Sequence, residues 1–184
     1  ASHTVEAKLE AGKTYKLIEV EAPSGYIPGA EITFTVTALG KVLVNDKEVA
    51  DNTIVVTNEK NAISFAKLDK NESTDENPVY VKGAKLEIRT SVDGKPGKIA
   101  TDASGNPLQW ESEEGTAKTV SGLPTGEYFL IETEAPEGYK LASPVLFKVE
   151  AGRTDTISVK MYDEKTNVSI LKVDKEGKAL SGAT

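Results

Sequence analysis

The sequence predicts an all-β protein built from antiparallel β-sandwich modules in tandem. Three observations predict it. Many short segments alternate apolar and polar residues and are rich in β-branched and aromatic side chains. Turn signals separate these segments at frequent intervals. Two blocks of sequence recur within the chain, the mark of a repeat architecture.

The strand-like segments, in chain order, are EITFTV (31–36), ISFAKLD (63–69), AKLEIRT (84–90), GEYFLIETE (126–134), PVLFKVE (144–150), TISVKMYD (156–163) and VSILKVD (168–174). Between them lie DGKPG (93–97), ASGNP (103–107), GLPTG (122–126), APEGY (135–139) and KEGK (175–178). No stretch longer than ten residues keeps a helical apolar stripe. Many short strands with frequent turns suggest a sandwich or barrel.

The repeats set the organisation. YKLIEVEAPSGY (15–26) and YFLIETEAPEGY (128–139) are identical at nine of twelve positions, at an offset of 113. NEKNAISFAKLD (58–69) and DEKTNVSILKVD (163–174) recur at an offset of 105. Unequal offsets imply loops of different length. Residues 61–166 read as one complete module. Residues 1–60 read as the C-terminal part of a module, and residues 167–184 as the first strand of a further one. The chain is out of phase with its own repeats, as a window cut from a longer repeat protein would be. Residues 167–184 could complete residues 1–60, in the same chain or a neighbouring one.

Composition narrows the function. The 184 residues include no cysteine, which removes disulfides, thiolate metal sites and cysteine nucleophiles. A net charge of −7 and a pI of about 4.9 argue against nucleic acid and anionic membranes as partners. No apolar run reaches transmembrane length and no signal peptide opens the chain, so a secreted protein would have lost its signal or be an internal piece. The lone His3 makes neither a triad nor a zinc site. No cofactor or metal is expected. Leu123-Pro124-Thr125-Gly126 reads as a turn before a strand, Glu111–Glu114 as a solvated loop, and Trp110 as a core or rim anchor. Asp69, Asp75 and Glu76 lack EF-hand spacing and are expected in solvent.

IETEAPEGY behind an LPTGEY turn, with ISFAKLDKN leading into VKGAKLEI, resembles the signature of CnaB-type domains. These are also called SpaA-like, prealbumin-fold or Ig-like sandwich domains, of Gram-positive adhesins and pili. VSILKVDKEGKALSGAT resembles the same opening region, and GKVLVNDKEVADNTIVVTN (40–58) resembles the family's last hairpin. The resemblance implies a spontaneous isopeptide bond: a first-strand lysine attacks an Asn or Asp on the last strand, with a glutamate as proton shuttle. Carried onto this sequence, the complete module uses Lys67, Glu132 and Asp163. The leading part supplies Glu19 and Asn58, and the trailing part supplies Lys172. Asn167 is a second acceptor if the register slips.

The residues suit that chemistry. An amine attacks only when neutral, and burial favours the neutral form. Lys67 shares strand parity with Ile63 and Phe65, and Lys172 with Val168 and Ile170. Glu132 shares parity with Leu130, and Glu19 with Leu17. A lysine among apolar strand residues more often snorkels at an edge. Here three residue types recur together, which favours the reactive reading.

The implied function is a structural stalk or shaft module, extracellular and cell-wall anchored through a region outside these residues. Its partners would be neighbouring repeats, with head-to-tail strand complementation between chains as one form. The alternative is an adhesive module binding a host matrix protein directly, through residues 90–118. Enzymatic turnover is not expected, because each glutamate is left without a free nucleophile once the bond forms.

Overall fold

The computed structural model describes residues 3–5, 8–102 and 104–181. Twelve strands and a single 3-10 turn, Ala50–Asn52, make up its regular structure among these residues. Four strands come first: β1 (Thr14–Leu17), β2 (Ile32–Val36), β3 (Val42–Val44) and β4 (Lys47–Glu48). They form one antiparallel sheet in that order. Its core is small: Phe34, Val36 and Val42, with Tyr15, Val44, Val49 and Ile54 packed against them.

The remaining strands form a two-sheet sandwich. They are β5 (Ala62–Asp69), β6 (Lys85–Val92), β7 (Lys95–Ile99), β8 (Gln109–Glu111), β9 (Lys118–Ser121), β10 (Gly126–Glu134), β11 (Val145–Val149) and β12 (Ile157–Asp163). One sheet runs β11-β10-β6-β7, with β8 also paired to β6, and the other runs β12-β5-β9. Strict alternation builds the core. Along β12, Ile157, Val159, Met161 and Asp163 are buried and the residues between are exposed. β10 buries Tyr128, Leu130 and Glu132 in the same way. β5 lies in the middle of its sheet and buries nearly every residue from Ile63 to Asp69. Phe65 meets the Phe147 ring edge-on at 5.3 Å and the Trp110 ring at 5.5 Å, which anchors Trp110 at the core's rim.

The all-β sandwich is as expected, and most pairings are antiparallel. One is not. β5 and β12, the first and last strands of the sandwich, are parallel neighbours, with Met161 opposite Lys67 and Asp163 opposite Asp69. No local pattern distinguishes a parallel from an antiparallel partner for an eight-residue strand.

Three local expectations are corrected. The DGKPG turn is only Asp93-Gly94, both at positive φ, and Pro96 and Gly97 already belong to β7. Proline is tolerated there because β7 is an edge strand. The VSILKVD segment (168–174) forms no strand; its last residues close a small turn through a Val173–Ala179 bridge and the Leu180 amide on the Lys172 carbonyl. Asp69 is fully buried, so it is not solvated. Ala103 of the ASGNP turn and residues 182–184 of the trailing segment lie outside the described residues, as do residues 1, 2, 6 and 7.

Candidate functional site

Lys67, Glu132 and Asp163 come together inside the sandwich. β5 and β12 carry Lys67 and Asp163 side by side in one sheet, and β10 presents Glu132 from the other. Their exposures are 2%, 3% and 0%. Lys67 Nζ donates to Asp163 Oδ1 and lies 3.1 Å from Glu132 Oε1. Glu132 Oε2 accepts a 2.6 Å hydrogen bond from the Ala142 amide, which fixes the carboxyl plane. The strand bulges directly after Glu132, between its pairing with Leu86 and that of Glu134 with Lys85.

Two carboxyls and one amine in a dry core cannot all be ionised cheaply. Burial pushes the Asp163 carboxyl up to about 6. The Lys67 ammonium opposes that rise, and the Glu132 carboxyl adds to it. Glu132 Oε1 and Asp163 Oδ2 are buried without a hydrogen-bond partner, where a proton on either carboxyl would find an acceptor. The arrangement can therefore hold a neutral carboxylic acid against an amine, with a second carboxylate ready to take the amine's proton.

The leading sheet assembles part of the same set. Asn58 Nδ2 donates to Glu19 Oε2 and, at 3.0 Å, to the Ile27 carbonyl. Glu19 Oε2 also accepts from the Gly29 amide at 2.7 Å. Gly29 and Ala142 each follow their glutamate by ten residues, so both carboxyls are held by equivalent main-chain amides. Residue identity carries no signal for this backbone contact beyond small size. Glu19 and Asn58 are only half-buried, and β1 ends at Leu17, two residues before Glu19.

Lys172 stands apart from both groups. It is exposed, in a segment where Val168 is 87% and Ile170 91% exposed. The inward face expected for it has no sheet to turn toward. For the same reason Val55 and Val56, before Asn58, are exposed and form no strand, whereas the corresponding β12 pairs with β5. Asn167, the second acceptor considered, is exposed as well.

A buried polar cluster that sequence reasoning missed lies just beyond the triad. Asp69 Oδ1 accepts from the amides of Asn71 (2.8 Å) and Glu72 (2.9 Å). Its Oδ2 accepts from the Tyr139 hydroxyl at 2.9 Å and lies 3.3 Å from Lys165 Nζ. Burial alone would raise this carboxyl, but the two amides, Tyr139 and Lys165 outweigh it and hold Asp69 below the usual carboxylate range. The available signal was the recurrence of Asp at 69 and 174, two residues after each lysine, and of Tyr at 26 and 139.

The family model for the SpaA prealbumin-like fold domain matches residues 61–165. The chain belongs to this family. Within it, the matched residues cover the whole β5–β12 sandwich and hold Lys67, Glu132 and Asp163. A search of curated proteins finds no match. Among solved structures, the chain is similar to a streptococcal ancillary pilin (26% identity, 83% of this chain, 42% of that one, TM-score 0.46). It is also similar to GBS52, the minor pilin of Streptococcus agalactiae (16% identity, 85% and 66%, TM-score 0.49). A third is BcpA, the major pilin subunit of Bacillus cereus (24% identity, 79% and 40%, TM-score 0.47). The chain spans less than half the length of the first and third of these.

Proposed function

We propose that this chain is a structural stalk or shaft segment of a Gram-positive surface pilus or adhesin, exposed outside the cell. Its sandwich is stapled by a Lys67–Asp163 isopeptide bond. The observation that carries this reading is the fully buried Lys67–Glu132–Asp163 set, one residue each from the first, middle and last parts of one sandwich. Membership of the SpaA prealbumin-like family supports it.

The reaction is a condensation. Glu132 takes a proton from the Lys67 ammonium, and the freed amine adds to Cγ of protonated Asp163. Glu132 then passes that proton to the departing hydroxyl and takes up the second proton that the adding nitrogen must lose, so the site ends with a neutral amide, one water and a protonated Glu132. A C–N bond forms, a C–O bond breaks and one water leaves. The product is a neutral amide, so the site exchanges a costly buried ion pair for a covalent link. The reaction happens once per chain and is not turnover.

Bond formation closes a loop whose ends are 96 residues apart. By analogy with disulfides, that contributes on the order of 4–5 kcal/mol in the chain-entropy model. Intact-mass measurement tests the reading: the chain should weigh one water less than its sequence, and Lys67→Ala or Glu132→Ala should abolish the difference. Each variant should melt roughly 15–30 °C lower. A full-mass parent chain, or unchanged melting in both variants, would overturn the proposal.

Asn58 and Glu19 support a second bond of the same kind, because their side chains are already hydrogen-bonded. They need a lysine from outside residues 1–60. Lys172 of a second copy is the candidate in this chain, on an exposed segment that repeats β5. That bond would release ammonia. Denaturing electrophoresis should show a covalent ladder that Asn58→Ala and Lys172→Ala each remove; a single band from the parent chain excludes it.

A further inference from the structure

We propose that Asn61, with the turns at Pro23–Tyr26 and Gly122–Gly126, forms a fixed joint that seats the leading sheet on the sandwich at a set angle. The two units share almost no linker. Asn58 ends the segment GKVLVNDKEVADNTIVVTN (40–58) and β5 begins at Ala62. The three residues between are held by main-chain contacts. Ile27 N donates to the Glu59 carbonyl at 2.8 Å, Lys60 bridges Tyr26, and Asn61 N donates to the Gly25 carbonyl at 3.0 Å.

The Asn61 side chain then ties this segment to the sandwich. Gly122 N is shared between the Asn61 carbonyl and Oδ1, each at 3.0 Å, and Asn61 Nδ2 donates to the Leu123 carbonyl at 2.8 Å. Thr125 N donates to Ser24 Oγ at 3.0 Å, directly joining the two turns. Backbone meets backbone at the centre. A Cβ on Gly25 would lie 2.7 Å from the Gly122 carbonyl oxygen, and both glycines have positive φ. Only glycine permits that approach in that conformation. A joint whose amides and carbonyls are paired across the contact lacks the free dihedrals that make a polar linker flexible.

Half of this seat recurs at the far end of the sandwich. Lys140 N donates to Glu164 O (2.9 Å), Thr166 N donates to Gly138 O (2.7 Å), and Tyr139 bridges Lys165. These repeat the contacts of Ile27, Asn61 and Tyr26. The contacts therefore belong to the repeat.

The joint does not depend on the isopeptide reading, and its test reads geometry alone. The chain lacks cysteine, so spin labels at Thr33→Cys and Lys148→Cys report one distance between the two units. Both positions are exposed on strands. Double electron–electron resonance on the full chain should give a single narrow distribution. Asn61→Ala should broaden it at least about twofold, toward linker-like behaviour, while circular dichroism stays unchanged. If Asn61→Ala fails to fold, Asn61→Asp and Ser24→Ala serve instead, each removing one cross-joint donor or acceptor, and each should broaden the distribution measurably. A broad distribution in the parent chain, or an unchanged width in the variants that fold, overturns the proposal.

Discussion

Asp163 is the residue whose protonation decides the proposed chemistry. Its carboxyl titrates near 6 because burial disfavours its charge. Below that value Asp163 presents a neutral acid to Lys67. One internal proton transfer from Lys67 to Glu132 makes the site reactive. Above that value Asp163 is a carboxylate and cannot lose hydroxide. Bond formation followed by mass after refolding should therefore slow as pH rises past about 6, approaching tenfold per unit. Asp163→Asn should remove that dependence and release ammonia instead. A rate that climbs steadily from pH 6 to 8 in the parent chain would refute the assignment. The same shift bears on stability. The folded, unbonded chain keeps a proton that the unfolded chain gives up above the ordinary aspartate value of about 4. An unbonded chain therefore loses stability as pH rises from about 4 to about 6.

At the scale of elements, strand alternation explains what could be read from sequence. β10 and β12 bury every second residue, so the inward position of Glu132 followed from counting by two, and Asp163, assigned from the resemblance alone, obeys the same alternation. β5 was harder, because it buries residues of both parities from Phe65 to Asp69 and its alternation fades. The parallel pairing of β5 with β12, the bulge after Glu132 and the amide that orients each glutamate were not legible. Each depends on partners distant in sequence or on the backbone alone. Asp69 was misread for a related reason: its partners come from three separate places, the chain just after β5, the turn at Tyr139 and the segment after β12. This carboxylate ties the ends of β5 and β12, which bear Lys67 and Asp163, to the turn after β10, which bears Glu132. Its pKa is held low in the fold, so the stability it gives is present above about 4 and lost as pH falls below that. Tyr139→Phe removes one hydrogen bond to a buried charge. It should cost about 1.5–3 kcal/mol in denaturant unfolding at neutral pH. A cost within error of zero would mean that the cluster contributes no stability.

The whole molecule divides into units of unequal robustness. Among the described residues, the β5–β12 sandwich closes over a core of fifteen buried residues, while the β1–β4 sheet rests on three. Leu17, Ile18, Val20, Val55 and Val56 of the leading unit are exposed. Hydrogen exchange followed by mass spectrometry should show β1–β4 exchanging well before β5, β10 and β12. Uniform protection across both units would show that the joint makes them a single cooperative body. The parallel pairing of β5 and β12 has a further consequence, for reach. The chain enters the sandwich at the Ala62 end of β5 and leaves beyond Asp163, opposite Asp69, at the other end. An antiparallel first and last strand would return the chain to its starting edge and gain no height. Here the sandwich carries the chain forward by at least the length of β5, roughly 23 Å at about 3.3 Å per residue. In the proposed stalk, a thread of such units would lengthen with every unit added, so their number would set its reach.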